Sequence, residues 1–306
     1  MRFNPKARLD PSQIDDRTGG GGGLSGGGRG GIKLGGGIGS LVIVVLLAIF
    51  APQLLDGSGG TSGGGNGTSS GAFNTCQKGE QANESRQCRL VAITDSVQSF
   101  WGTELPKETG RTYVEIKTVP FTGSVSTSGC GTATADAGPF YCPNDQRVYL
   151  DLSFFDTLLN QLGGKDTAFT EAYVVAHEYG HHIQNQLGIM GQVRTQQGPN
   201  SDSVKLETMA DCLAGVWAKH AQETPDADGV TLISDLTRQD INEGIAAAKV
   251  VGDDAIERKT SGQVNPEGWT HGSSAQRVAS FDIGLKKGTI KACNYLDPAN
   301  NSYPAS

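Results

Sequence analysis

The sequence predicts an α+β domain, mainly helical with a small sheet, preceded by a disordered glycine-rich leader and one transmembrane helix. Apolar residues recur at helical spacing in several stretches between residues 90 and 285. Only residues 112–119 and 147–151 read as strands. Half of the 44 glycines fall before residue 72, in runs that cannot bury enough apolar surface to offset their ordering entropy.

Residues 1–33 carry Arg2, Lys6, Arg8, Arg17, Arg29 and Lys33 against Asp10, Asp15 and Asp16, a balance of +3. The whole chain of 306 residues has a net charge of −7, so the remainder holds −7 − 3 = −10. That acidity speaks against nucleic acid as a partner of the domain. The leader is therefore read as disordered, basic and cytoplasmic. Its glycine runs are no phosphate loop, because no strand precedes them and no Gly-Lys-Ser/Thr follows.

Residues 34–55 are uncharged, a 22-residue span. At about 1.5 Å per residue this crosses a bilayer core of about 30 Å. Gly35, Gly36, Gly37 and Gly39 shorten the strongly apolar part toward a signal-peptide core. The long leader and the lack of an Ala-x-Ala site favour an uncleaved anchor in the lipid bilayer over a signal peptide or a buried core helix. Basic residues before the span and Asp56 after it put the N-terminus in the cytoplasm. The expectation is a single-pass protein of the cell (inner) membrane. Residues 56–71 would be a flexible linker and residues 72–306 an extracytoplasmic domain.

All six cysteines lie beyond the span, and none form a Cys-x-x-Cys pair, which disfavours a zinc knuckle. Fifteen pairings are open. The expected set is Cys76–Cys88, Cys130–Cys142 and Cys212–Cys293, the last closing the longest loop. In a reducing cytoplasm they would be thiols.

Along the domain, residues 90–101 have helical spacing and residues 112–119 alternate as a strand. Residues 123–138 form a Gly/Ser/Thr/Ala loop, and residues 147–151 a second strand. A short helix covers 154–162, ending at Gly163 and Gly164. A strand beside an active cleft could hold a peptide by strand addition.

Residues 167–187 form a helix that Thr167 or Thr170 can cap and Gly188 can end. Ala172, Tyr173, Val175, Ala176, Tyr179 and Ile183 give it a wide apolar surface, so it is largely buried. It carries His177-Glu178-Tyr179-Gly180-His181-His182. Residues four apart share a face, so His177 and His181 can point both imidazoles at one cation. Glu178, turned by about 100°, reaches a water on that cation without binding it. Zinc suits two neutral imidazoles, and a catalytic zinc needs a third ligand and an open position. The alternative is a buried polar network without metal; either way such groups are costly unless paired or metal-bound.

Residues 202–220 form the next helix, with Val204, Leu206, Met209, Leu213, Val216 and Trp217 at helical spacing. Glu207 and Asp211, four apart, share its other face beside apolar neighbours. Glu207 as third ligand and Asp211 as hydrogen-bond partner of a ligand imidazole would complete the centre. The competing reading is a solvated acidic face with Asp211 bonding an arginine.

His-Glu-x-x-His followed by Glu207-x-x-x-Asp211 resembles the thermolysin-like, glutamate-type zincin metallopeptidases. The run from Val175 to Gln184, with residues 210–218, is more closely similar to the bacterial "putative neutral zinc metallopeptidase" family. That resemblance covers nearly the whole chain, including residues 138–143 and 270–277. It implies a zincin-like fold, Zn²⁺ held by His177, His181 and Glu207, Glu178 as general base, and peptide or unfolded-protein substrates. The longer motif with a third histidine is not met, since Gln184 and Leu187 stand where it calls for glycine and histidine.

Three histidines remain. His182 is turned about 100° from His181, so it is expected at the surface or bonded to a neighbouring loop. His220 ends its helix, where a cation suits the dipole. His271 precedes a helix starting near Ser274, where thermolysin-like enzymes carry an oxyanion-stabilising histidine. A capping or structural role is its alternative. Residues 237–259 are read as one further helix, and the tail beyond Lys287 as irregular. The expected function is a membrane-anchored zinc endopeptidase acting on extracytoplasmic proteins or peptides. The alternative is a catalytically degenerate, zinc-stabilised binding module.

Overall fold

A computed structural model describes residues 1–19, 71–156 and 163–305. In chain order its α-helices are α1 (Gly79–Ala82), α2 (Arg86–Thr109), α3 (Ala168–Gln186) and α4 (Asp202–His220), then α5 (Arg238–Val250), α6 (Asp253–Thr260), α7 (Ser274–Lys287) and α8 (Ile290–Cys293). The strands are β1 (Arg2–Phe3), β2 (Lys117–Phe121), β3 (Ser124–Ser126), β4 (Thr132–Thr134), β5 (Phe140–Cys142), β6 (Arg147–Asp151) and β7 (Ile233–Asp235). This is the expected α+β architecture, helical with small sheets.

The long helices start where side chains satisfy their first amides. Ser85, Thr167 and Ser201 accept from Cys88, Thr170 and Val204 respectively. The first of these caps places the start of α2 at Arg86, ahead of the 90–101 pattern. The helix then runs through Pro106 to a left-handed Gly110. Helices α2, α3, α4 and α7 enclose one core, with Trp101, Phe169, Tyr173, Tyr179, Trp217 and Phe281 fully buried.

Helices α4 and α7 meet backbone to backbone. A Cβ on Gly284 would lie 1.8 Å from the Cys212 carbonyl oxygen, and one on Gly215 would lie 2.1 Å from that of Phe281. Only glycine permits this approach. The Cys212–Cys293 disulfide then staples α4 to α8, and Cys76–Cys88 and Cys130–Cys142 are the other two, as expected.

The single helix expected over 237–259 is two. It breaks at Gly252, where a Cβ would meet the Ser274 nitrogen at 2.4 Å. The break turns Asp253 and Asp254 toward the 270–274 loop: Asp253 accepts from the amides of Thr270, His271 and Gly272, and Asp254 from that of Ser274.

The main sheet has the order β2-β6-β5, with β2 parallel and β5 antiparallel to β6. Of the strand expected over 112–119 only residues 117–119 are strand, and β2 continues beyond it to Phe121. The β3–β4 hairpin lies within the 123–138 segment expected to be a loop, and β5 follows it where no strand was read; β4 and β5 fall in the stretch closed by Cys130–Cys142. The expected helix over 154–162 lies mostly outside the described residues.

Residues 1–19 are not the disordered leader expected. β1 pairs with β7, and Phe3, Ala7 and Leu9 are buried in the core. The amino group of Met1 pairs with Asp240. Asp15 and Arg17 donate backbone bonds to Thr118 and Pro120, covering the outer edge of β2. The glycine content averaged over residues 1–33 hid this apolar start, because the runs begin only at Gly19. The Gly71 amide donates to Asp16 at 3.1 Å, so the chain leaves and rejoins the described structure at one place.

This packing puts the first residues and the domain on one side, against the expected opposite-sided topology. Among the described residues no helix is long and apolar enough to cross a membrane. The single-pass inner-membrane placement therefore does not stand. The expected span 34–55, residues 20–33 and the linker up to residue 70 lie outside the described residues.

Candidate metal centre

Helices α3 and α4 pack closely at Gly180, where a Cβ would sit 3.0 Å from the Ala210 oxygen. That contact brings Glu207 on α4 opposite the two imidazoles one turn apart on α3. His177 Nε2 lies 3.4 Å from one Glu207 oxygen and His181 Nε2 lies 3.5 Å from the other. One ligand atom from each of the three residues falls within a 4.8 Å set, and all three residues are buried. Tetrahedral ligands about 2.0–2.1 Å from a zinc ion stand about 3.3–3.4 Å apart, so the set is spaced for such an ion. His181 Nε2 has no hydrogen-bond partner among the described residues. A buried nitrogen so placed is what a cation would satisfy.

The outer nitrogens of both rings are occupied, which leaves the inner ones free to bind. His177 Nδ1 donates to Asp211 Oδ1 at 2.8 Å, and His181 Nδ1 donates to Gln184 Oε1 at 2.8 Å. Gln184 in turn donates to the Leu206 carbonyl on α4 at 2.6 Å. Asp211 also accepts from Tyr173 Oη at 2.5 Å and from Arg277, through Nε at 2.9 Å and Nη2 at 3.0 Å. Asp211 thus supports an imidazole and also bonds an arginine, but the solvated acidic face of the competing reading is not found, since Glu207 and Asp211 are buried. Tyr173, Gln184 and Arg277 were not singled out by sequence. Tyr173 four residues before His177, and Gln184 three after His181, carry the only local signal.

The charges here favour a cation. Burial works against a charged His177, yet Asp211 and Glu207 carry its pKa up to about 10. Burial likewise works against ionised carboxylates. Even so, His181 and His271 hold Glu207 well below the usual range, and Arg277 and His177 lower Asp211. Glu178 differs. Burial raises its carboxyl above the usual value despite both imidazoles, and its Oε2 has no hydrogen-bond partner among the described residues. The nearby Tyr141 backbone of β5 acts in the opposite direction, lowering that pKa slightly.

His271 borders this group, close enough that the Glu207 charge raises its pKa against burial. Its Nδ1 lies 3.5 Å from Asp253 Oδ1 and 2.9 Å from Thr270 Oγ1. Asp253, its buried support, was missed because it lies at the helix break that periodicity did not show. His182 is not at the surface; it bonds a neighbouring loop, the other expected placement. It is fully buried, bonded through Nε2 to the Val114 carbonyl at 2.7 Å and through Nδ1 to Tyr141 Oη at 3.1 Å. His220 stacks on Phe100 beside Glu223, a structural place as expected.

Fold and site define an α+β protein built around a candidate metal centre on two facing helices. The profile of the family described as "Putative neutral zinc metallopeptidase" matches residues 1–296, and the chain belongs to that family. The chain is 44% identical over 227 residues to an uncharacterized protein of Mycobacterium tuberculosis, covering 74% of this chain and 75% of the relative. It is 35% identical over 295 residues to the uncharacterized protein YpfJ of Escherichia coli, covering 94% and 97%. No solved structure matches it.

Proposed function

We propose that the protein is a zinc-dependent endopeptidase with a zincin-like domain, acting on peptides or unfolded proteins. The observation that carries this is Glu178, a buried carboxylate with a free oxygen beside the His177/His181/Glu207 set. A purely structural metal has no use for such a group.

His177, His181 and Glu207 would hold the ion, and Asp211 and Gln184 fix the two rings with their Nε2 atoms toward it. When bound, zinc polarises a carbonyl and makes a water acidic enough to lose a proton near neutral pH. Glu178 takes the proton of the attacking water. Its raised pKa keeps it a competent base that can then pass the proton to the leaving amine. His271, braced by Asp253, donates to the oxyanion that develops on the former carbonyl oxygen. β5 has one strand partner among the described residues, and its free side is suited to pairing with an extended peptide.

The test is hydrolysis of an unstructured protein by the zinc-loaded chain, with and without chelator, for the parent and Glu178→Gln. The parent is expected to cleave, and the variant to keep stoichiometric zinc and lose cleavage. Retained cleavage by the variant refutes the mechanism. Bound zinc without cleavage in the parent would identify a degenerate, zinc-stabilised binding module instead.

A further inference from the structure

We propose that His182 is a positioning residue: it fastens strand β5 and the segment around Val114 to α3, and so sets where the Tyr141 backbone meets Glu178. The proposal rests on the zinc peptidase reading for its catalytic consequence, though not for the clamp itself.

A three-residue edge strand with one strand partner among the described residues is weakly held by its ladder alone. Its second hold is polar and lies on a single stripe of α3. Glu178, His182 and Gln186 stand four residues apart in succession, and Asn185 three after His182, so they line one side of the helix. Tyr141 spans one turn of that stripe: its backbone is near enough to Glu178 to lower that carboxyl's pKa, and its hydroxyl donates to His182 Nδ1. Asn185 Nδ2 donates to the same hydroxyl at 2.9 Å. On the other side His182 Nε2 donates to the Val114 carbonyl, joined there by Gln186 Nε2 at 3.1 Å. Gln186 Oε1 accepts the Val114 amide at 3.3 Å.

Neutral imidazole offers one donor and one acceptor on opposite sides of a rigid ring. At His182 both are used, one toward each extended segment, and Nε2 also meets Gln186 Nε2 of its own helix. The Tyr113 and Tyr141 rings pack on it at 5.6 and 5.5 Å. A fully buried histidine is tolerated only when both nitrogens are satisfied, so losing either segment leaves an orphaned polar atom. The three parts are thereby held together.

The experiment compares the full chain with His182→Phe, which keeps a ring but removes both bonds, and His182→Gln, which can restore a donor and an acceptor. Tyr141→Phe, nearly isosteric, serves as a second variant in case the first fails to fold. Amide exchange at residues 113–115 and 140–143 is expected to rise roughly tenfold in His182→Phe and Tyr141→Phe, with α4 unchanged. Zinc stoichiometry should hold, kcat/KM for a peptide should fall roughly tenfold, and His182→Gln should recover part of both. Unchanged exchange in these two segments overturns the clamp. Altered exchange with unchanged kcat/KM in an active parent overturns the positioning role. A parent that binds zinc and cleaves nothing fails the peptidase reading alone, because the exchange measurement still decides the clamp.

Discussion

Asp211 Oδ1 lies 2.8 Å from His177 Nδ1 while the same carboxylate is gripped from behind by Arg277, at 2.9 and 3.0 Å. The contact links a candidate ligand on α3 to a residue of α7 through a buried side chain of α4. The metal centre and the three-helix core are therefore one construction.

Removing the Asp211 charge is expected to act twice. Asp211→Asn loses the negative partner that orients and enriches His177, so zinc affinity should fall about 10–100-fold. It also leaves the buried Arg277 without its counter-ion, a loss of about 3–5 kcal/mol. Chelator competition and urea unfolding measure the two effects. Tyr173→Phe, which removes one bond to Asp211 and no charge, should be milder in both. Unaltered zinc affinity in Asp211→Asn would sink the support role.

His271 and Asp253 should separate turnover from metal binding. His271→Ala is expected to lower kcat about 10²–10³-fold with zinc content unchanged. Asp253→Asn weakens the carboxylate beside Nδ1 and the three backbone bonds, so it should follow in the same direction with some loss of stability. Equal loss of zinc and turnover in His271→Ala would make that residue structural.

The centre was legible because its parts are local. His177 and His181 sit one turn apart, and Glu207 and Asp211 recur at the same spacing on a second apolar helix. The cysteine pairs followed from proximity and remainder. What was not legible depends on distant contact. Asp253 becomes a partner of His271 only because α5 and α6 break where Gly252 meets Ser274. Gln184, an apparent departure from a longer motif, supports His181. Residues 1–19 pack because Phe3 and Leu9 find pockets made by segments far along the chain, which local glycine content cannot reveal.

That arm can be tested with one side chain. Phe3 is 1% exposed, so Phe3→Ala should destabilise the whole domain by about 3–5 kcal/mol in urea unfolding. A disordered leader predicts no change. A null result would mean that residues 1–19 do not dock, and with it the one-sided arrangement of arm and domain would fall.

Asp95 sits beneath the same arm and gives a pH dependence of definite sign. It is 6% exposed; its Oδ2 accepts the Asp10 amide at 2.8 Å and its Oδ1 has no partner. Burial raises its pKa well above 3.8, the Asp10 amide opposes this, and the Asp10, Asp226 and Glu115 carboxylates add to it. Above pH 3.8 the folded protein therefore keeps a proton that the unfolded chain has released. The native state binds more protons, so stability is full at lower pH and declines as pH rises toward the folded pKa. Asp95→Asn keeps an acceptor for Asp10 and cannot ionise. Its Tm relative to the parent should shift in the variant's favour as pH rises past about 4, then level off. Melting curves of both proteins across the acid-to-neutral range measure this. A Tm difference independent of pH would show that folding leaves the Asp95 pKa unshifted.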